Sequence, residues 1–248
     1  MTPARAVTVL ASALLVVAGL GYLASQTVLA APTFVVADQQ YVGAPAPAAK
    51  AGREVAAGEP VRSQQVDPQW VVDNAAKAGI PAPAVRAYAN AELSEPAGCD
   101  VGWTTLAGIG WVESQHGTIG GRTLGEDGHS STPVLGPALD GRGPVAAIPS
   151  TPETAAWHGD PRWDHAVGPL QFIPSTWETW GADGDGDGTA DPNDLDDAAY
   201  AAVRYLCADG HDVRSGAGWA DAIFSYNHAQ SYVDSVYDAA SAYADRTG

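Results

Sequence analysis

Trp103-Thr-Thr-Leu-Ala-Gly-Ile-Gly-Trp-Val-Glu113, followed by Ser-Gln-His-Gly117, reads as an apolar helix that ends on a carboxylate. At helical spacing Leu106 lies two turns behind Glu113, and Ile109 and Gly110 flank it one turn behind. The carboxylate therefore rides on the stripe that should face a core. A glutamate there is costly to ionise, so its pKa should rise, which suits a general acid. The competing reading is a surface glutamate in the last helical turn, and the rest of the chain decides between them.

On either side the pattern is helical. A helix is expected from Asp67, with Pro68 in its first turn and Gly79-Ile-Pro81 at its end, and a second from about Pro83 to Leu93. The Glu113 helix is the third, starting near Asp100. Residues 117–166 are dense in Gly, Pro, Asp and Ser and read as a loop-rich insertion, which in a compact domain is usually functional. Helices resume at Ser175–Trp180, Leu195–Ala208, Gly218–His228 and Tyr232–Tyr243, and no β-sheet or internal repeat is expected. The fold class is mainly α.

Residues 1–30 stand apart: Arg5 gives a basic start, Val7 to Leu23 run apolar, and small residues around Ala30 offer a cleavage point. They read as a signal peptide or a retained N-terminal membrane anchor, and without a cysteine near the cleavage point no lipoprotein anchor is expected. Residues 31–64 are Ala/Pro-rich and read as a semi-rigid linker, leaving 65–248 as the catalytic domain. The formal charge is −17, and −18 without the single positive charge of Arg5. Such acidity argues against nucleic acid and against steering toward anionic lipid or wall polymers. Cys99 and Cys207 are an even pair in a chain read as exported, which points to one disulfide, with two free buried thiols as the alternative.

Three later segments carry chemistry. In Ala166-Val-Gly-Pro-Leu-Gln-Phe-Ile-Pro-Ser-Thr-Trp177, Gly168-Pro169 makes a turn and Gln171 sets an amide between apolar Leu170 and Phe172, with Ser175 as the cap of the next helix. That amide is either a satisfied core group or a grip for a sugar hydroxyl or N-acetyl. Asp183-Gly-Asp-Gly-Asp-Gly-Thr-Ala-Asp-Pro-Asn-Asp194 follows the EF-hand pattern. Asp183, Asp185 and Asp187 take positions 1, 3 and 5, Gly188 the sharp turn, Thr189 a backbone carbonyl, and Asp191 a direct or water-mediated ligand. Asp194 stands at position 12 with a shorter arm than the usual glutamate. The expected ion is a structural Ca2+, because the donors are hard oxygens. In Phe224-Ser-Tyr-Asn-His-Ala-Gln-Ser-Tyr-Val233, Tyr226, Asn227 and Tyr232 place aromatic faces and an amide at a helix junction. Such a set suits stacking on sugar rings, or it is two core tyrosines beside an incidental amide.

Together these motifs resemble the membrane-bound lytic murein transglycosylase B family in its actinobacterial form, over roughly Asp67 to Tyr243. The resemblance implies a lysozyme-like helical fold. It also implies cleavage, without water, of the β-1,4 bond between N-acetylmuramic acid and N-acetylglucosamine in peptidoglycan glycan strands, leaving 1,6-anhydromuramyl ends. Glu113 matches the catalytic acid, while Gln171, Tyr226, Asn227 and Tyr232 match groove residues. Cys99 and Cys207 resemble the paired cysteines of that form. The expected protein is a monomer at the cell wall or the outer face of the cytoplasmic membrane. The chemistry fits independently, since hydrolytic glycosidases usually need two carboxylates and an internal C6 hydroxyl needs only one acid that then acts as base. Asp160, Asp164 and the other acids of the insertion remain candidates for a second carboxylate at this level.

Overall fold

The computed structural model describes residues 41–49, 65–142, 145–208 and 210–248. The N-terminal segment 1–30 and most of the linker (31–40 and 50–64) lie outside the described residues. Among the described residues there are eight α-helices: α1 Pro68–Ala78, α2 Ala82–Leu93, α3 Trp103–Ser114, α4 Pro152–His158, α5 Pro174–Trp180, α6 Leu195–Ala208, α7 Gly216–Tyr226 and α8 Gln230–Thr247. No helix among them is long and apolar enough to cross a membrane.

The centre of the fold is α3. Its residues from Trp103 to Gly110 are all buried, so over that stretch the helix has no solvated face and must be wrapped by others. Its two inner glycines let neighbours approach. A Cβ on Gly108 would stand 2.8 Å from the Val236 carbonyl of α8, and one on Gly110 would collide with the Tyr88 hydroxyl of α2. The start of α3 lacks a capping side chain of its own. Two carboxylates at the end of α2 serve instead: Glu92 accepts from the Trp103 N–H at 2.6 Å, and Glu95 from that of Val101 at 2.7 Å. Cys99 and Cys207 form a disulfide, which ties the loop before α3 to the last turn of α6.

Helix boundaries follow local chemistry. Asp67 caps α1 through the N–H groups of Gln69 and Trp70, and Gly79 closes it in a left-handed conformation with φ 73°. At α5 the expected cap is displaced: Ile173 is the cap residue, Pro174 occupies the first turn, and Ser175 lies inside the helix.

The insertion is more ordered than its composition suggests. It holds α4, opened by a reciprocal Thr151–Thr154 capping box, and a short antiparallel pair of β1 Leu135–Ala138 with β2 His165–Val167. A satellite core of Leu139, Ala166 and Ile173 lies beneath. The expectation of no sheet fails here because strands of three and four residues containing Gly136 and Pro137 are too short to show alternation. This strand pair leads into the turn at Gly168–Gln171, which lies beside the end of α3.

Candidate active site

Glu113 closes α3, and its side chain is 8% exposed. Tyr232 in the first turn of α8 donates to Glu113 Oε1 at 2.6 Å. Burial pushes the carboxyl up to about 8, against the smaller lowering effect of that hydrogen bond. No neighbouring charge contributes to the shift. At neutral pH the group is therefore a carboxylic acid, and with Oε1 accepting from Tyr232, the proton it can donate sits on Oε2.

The next residue holds the other wall. Ser114 Oγ donates to the Pro169 carbonyl and accepts from the Gly117 N–H at 2.7 Å. Tyr226, the last residue of α7, donates to the neighbouring Leu170 carbonyl at 2.8 Å. Consecutive carbonyls of one turn are thus fastened from α3 and from α7. The Tyr226 and Tyr232 rings lie nearly parallel, 4° apart in plane and 6.4 Å between centroids.

Gln171 occupies a left-handed conformation, φ 53°, which a non-glycine residue adopts only when its surroundings enforce it. Its Nε2 donates to the Gly168 carbonyl at 2.8 Å. Gly168 itself, at φ 79°, lies against the Pro192 carbonyl so closely that no Cβ fits. Gln171 and Tyr226 also line a small surface pocket, completed by Phe172, Ile173, Thr176 and Tyr205. Asn227 follows α7 and is buried, and its Oδ1 has no hydrogen-bond partner among the described residues. An unpaired buried acceptor is costly unless something arrives to satisfy it.

Two acids of the insertion, Asp164 and Asp160, are committed elsewhere. Asp164 is buried and accepts from Thr154 Oγ1 at 2.6 Å, with His158 Nε2 at 3.2 Å. Asp160 accepts the Arg162 N–H at 2.8 Å. Neither carboxylate contributes to the state of Glu113.

In the acidic loop, carboxylate oxygens of Asp183, Asp185 and Asp187 lie within 4.8 Å of one another, a hard-oxygen cluster that fits a divalent cation. Gly188 takes φ 100°, and its N–H donates to Asp183 Oδ2 at 2.9 Å. Thr189 adjoins the cluster through its N–H, which donates to Asp187 Oδ1 at 2.7 Å. Asp191 is turned toward Asn193, whose N–H it accepts at 2.8 Å, and toward His129 at 3.5 Å. Asp194 does not join them. It is buried, its Oδ1 caps the first turn of α6 through the Asp196 N–H at 2.8 Å, and its other oxygen faces His129 at 3.9 Å. Asp197, one helical turn further on, is the carboxylate that holds the loop from α6. It accepts N–H groups from both ends of the loop, Gly184 at 2.6 Å and Asp191 at 2.8 Å. After burial, Asp185 and Asp183 are the neighbours that raise its carboxyl to about 6. The signal was present in the second acid of the Asp196-Asp197 pair, but a fixed twelve-residue count passes over it.

Residues 154–223 match the transglycosylase SLT domain. The match supports a lytic transglycosylase of the lysozyme-like superfamily, acting on peptidoglycan outside the cytoplasm. It spans α4 through most of α7 and includes Gln171 and the acidic loop. Glu113, Tyr226, Asn227 and Tyr232 lie outside the SLT match and are joined to it only by the fold. No curated protein and no solved structure matches the chain.

Proposed function

We propose that this protein is an exported peptidoglycan lytic transglycosylase that cleaves the β-1,4 bond between N-acetylmuramic acid and N-acetylglucosamine. The observation that carries the reading is Glu113, a single buried carboxyl held protonated near neutrality with no carboxylate acting on it. Glu113 Oε2 gives its proton to the glycosidic oxygen as the bond from the muramic C1 to that oxygen breaks. The resulting carboxylate, made a stronger base by burial and oriented by the Tyr232 hydroxyl, then takes the proton of the C6 hydroxyl. The C6 oxygen closes on C1, giving the 1,6-anhydro end and restoring the acid. No water enters, so no second carboxylate is needed.

Gln171 and the Tyr226–Tyr232 pair supply the polar and aromatic lining for the saccharide, and the unpaired Asn227 Oδ1 is an acceptor for a sugar hydroxyl or amide N–H. Asp183, Asp185 and Asp187 would hold a structural Ca2+, with Asp197, which bonds both ends of the loop, the Thr189 carbonyl and Asp191 as further oxygens. The family assignment to the murein transglycosylase B type rests on the motifs around Glu113, Gln171 and Asn227. Residues 1–30 would carry the chain across the membrane, whether cleaved or kept as an anchor.

Digestion of purified peptidoglycan followed by mass measurement of the muropeptides tests the reaction. Anhydro ends are lighter by one water than hydrolysed ends, and a digest containing only reducing ends would show a muramidase instead. Glu113→Gln is expected to abolish release of both.

A further inference from the structure

Residues 41–49 fall in the segment whose composition reads as a free linker, yet they lie against the domain. The Tyr41 ring packs 5.1 Å from Trp219 of α7 and 6.2 Å from Tyr237 of α8, centroid to centroid. Its hydroxyl bonds Thr104 Oγ1 in the first turn of α3, and the same oxygen accepts from the Ala44 N–H at 3.4 Å. Pro47 is buried, and the Ala48 carbonyl accepts the Asp67 N–H at 2.7 Å at the threshold of α1. Trp219 in turn donates from Nε1 to Thr105 Oγ1 at 3.1 Å. Burial raises the Tyr41 phenol to about 12, so it stays a neutral hydrogen-bonding group across the working pH range.

The three helices that meet at Tyr41 also deliver the site. Glu113 lies nine residues along α3 from Thr104, about 13 Å at helical rise. Tyr226 lies seven residues along α7 from Trp219, about 10 Å, and Tyr232 five residues along α8 from Tyr237, about 7 Å. We infer that residues 41–49 are a strap that clasps α3, α7 and α8 at a point remote from the groove, and that Tyr41 is a positioning residue for the Glu113–Tyr232 contact. The catalytic part of this inference rests on the proposed transglycosylase reaction.

The test uses the full chain carrying Tyr41→Ala, with Tyr41→Phe, which keeps the ring, as the milder variant. Hydrogen exchange at the Ala44 amide reports docking, and a carboxyl NMR titration of Glu113 reports positioning; neither needs turnover. In the wild type Ala44 is expected to be protected. Tyr41→Ala should speed its exchange at least tenfold, shift the Glu113 midpoint and lower kcat severalfold with KM little changed. Tyr41→Phe should fall between the two. An Ala44 amide exchanging at free-peptide rates in the wild type overturns the strap. An unchanged Glu113 titration and kcat in both variants, with only the melting temperature lowered, overturns the positioning role. A wild type that leaves peptidoglycan uncut sinks the proposed reaction instead, while exchange and titration still decide the strap.

Discussion

Glu113 is held against its own preference. A carboxyl whose folded pKa of about 8 exceeds its ordinary value of 4.5 binds a proton more tightly when folded. Its contribution to stability is therefore complete below pH 4.5 and is lost as pH rises toward 8. Glu113→Gln removes this burden while leaving an oxygen for Tyr232. We expect the variant to be inactive yet more stable than the wild type at pH 8 by about 1–3 kcal/mol, with the gap closing near pH 4.5, as read by urea unfolding at both values. A wild type more stable than the variant at pH 8 would contradict the buried-acid description. Catalysis needs the protonated form, so kcat/KM should fall above about pH 8. In Tyr232→Phe the hydrogen bond that lowers this pKa is gone. The alkaline limb should then move to higher pH, and kcat should drop about tenfold, equal to ~1.4 kcal/mol of barrier.

Among the elements, α3 was the most legible, because an unbroken apolar run that ends on a carboxylate admits few other readings. The burial of Glu113 followed from its spacing to Leu106 and Ile109 and is observed. Its bond to Tyr232 could not be read, since the partners lie 119 residues apart and meet only through the packing of α8 on α3. α4 and the β1–β2 pair were hidden by their brevity. Asp197 was hidden by the length of the loop, and the docking of Tyr41 by the bland Ala/Pro sequence around it. Close packing of α3 on α8 gives its own test. A methyl group at residue 108 would have to displace the Val236 backbone, so Gly108→Ala should lower stability by about 1–3 kcal/mol in denaturant titration. Gly168→Ala should act on function as well, raising KM, because its Cβ would push the saccharide turn off the Pro192 carbonyl.

At the scale of the molecule, the acidic loop joins that turn to α6, so an ion bound there stiffens both. We expect Ca2+ to raise the melting temperature by several degrees and chelation to leave kcat largely intact. Asp197→Ala should erase the Ca2+-dependent rise, and Asp194→Ala should lower stability equally with and without the ion. A kcat lost on chelation while circular dichroism stays native would refute a purely structural ion. The charge of −17 makes one further expectation plain: lysis of anionic wall material should speed up as moderate salt screens the repulsion.

Ser114 and Tyr226 fasten neighbouring carbonyls of the Gly168–Gln171 turn, one from each side of Glu113. On the proposed reading, in which this turn receives the glycan, two of its carbonyls are already fastened, so the entropy lost on capture should come mainly from the sugar chain. Stopped-flow capture of a soluble glycan fragment should accordingly be a single phase whose rate climbs in proportion to ligand concentration, with no slow isomerisation behind it.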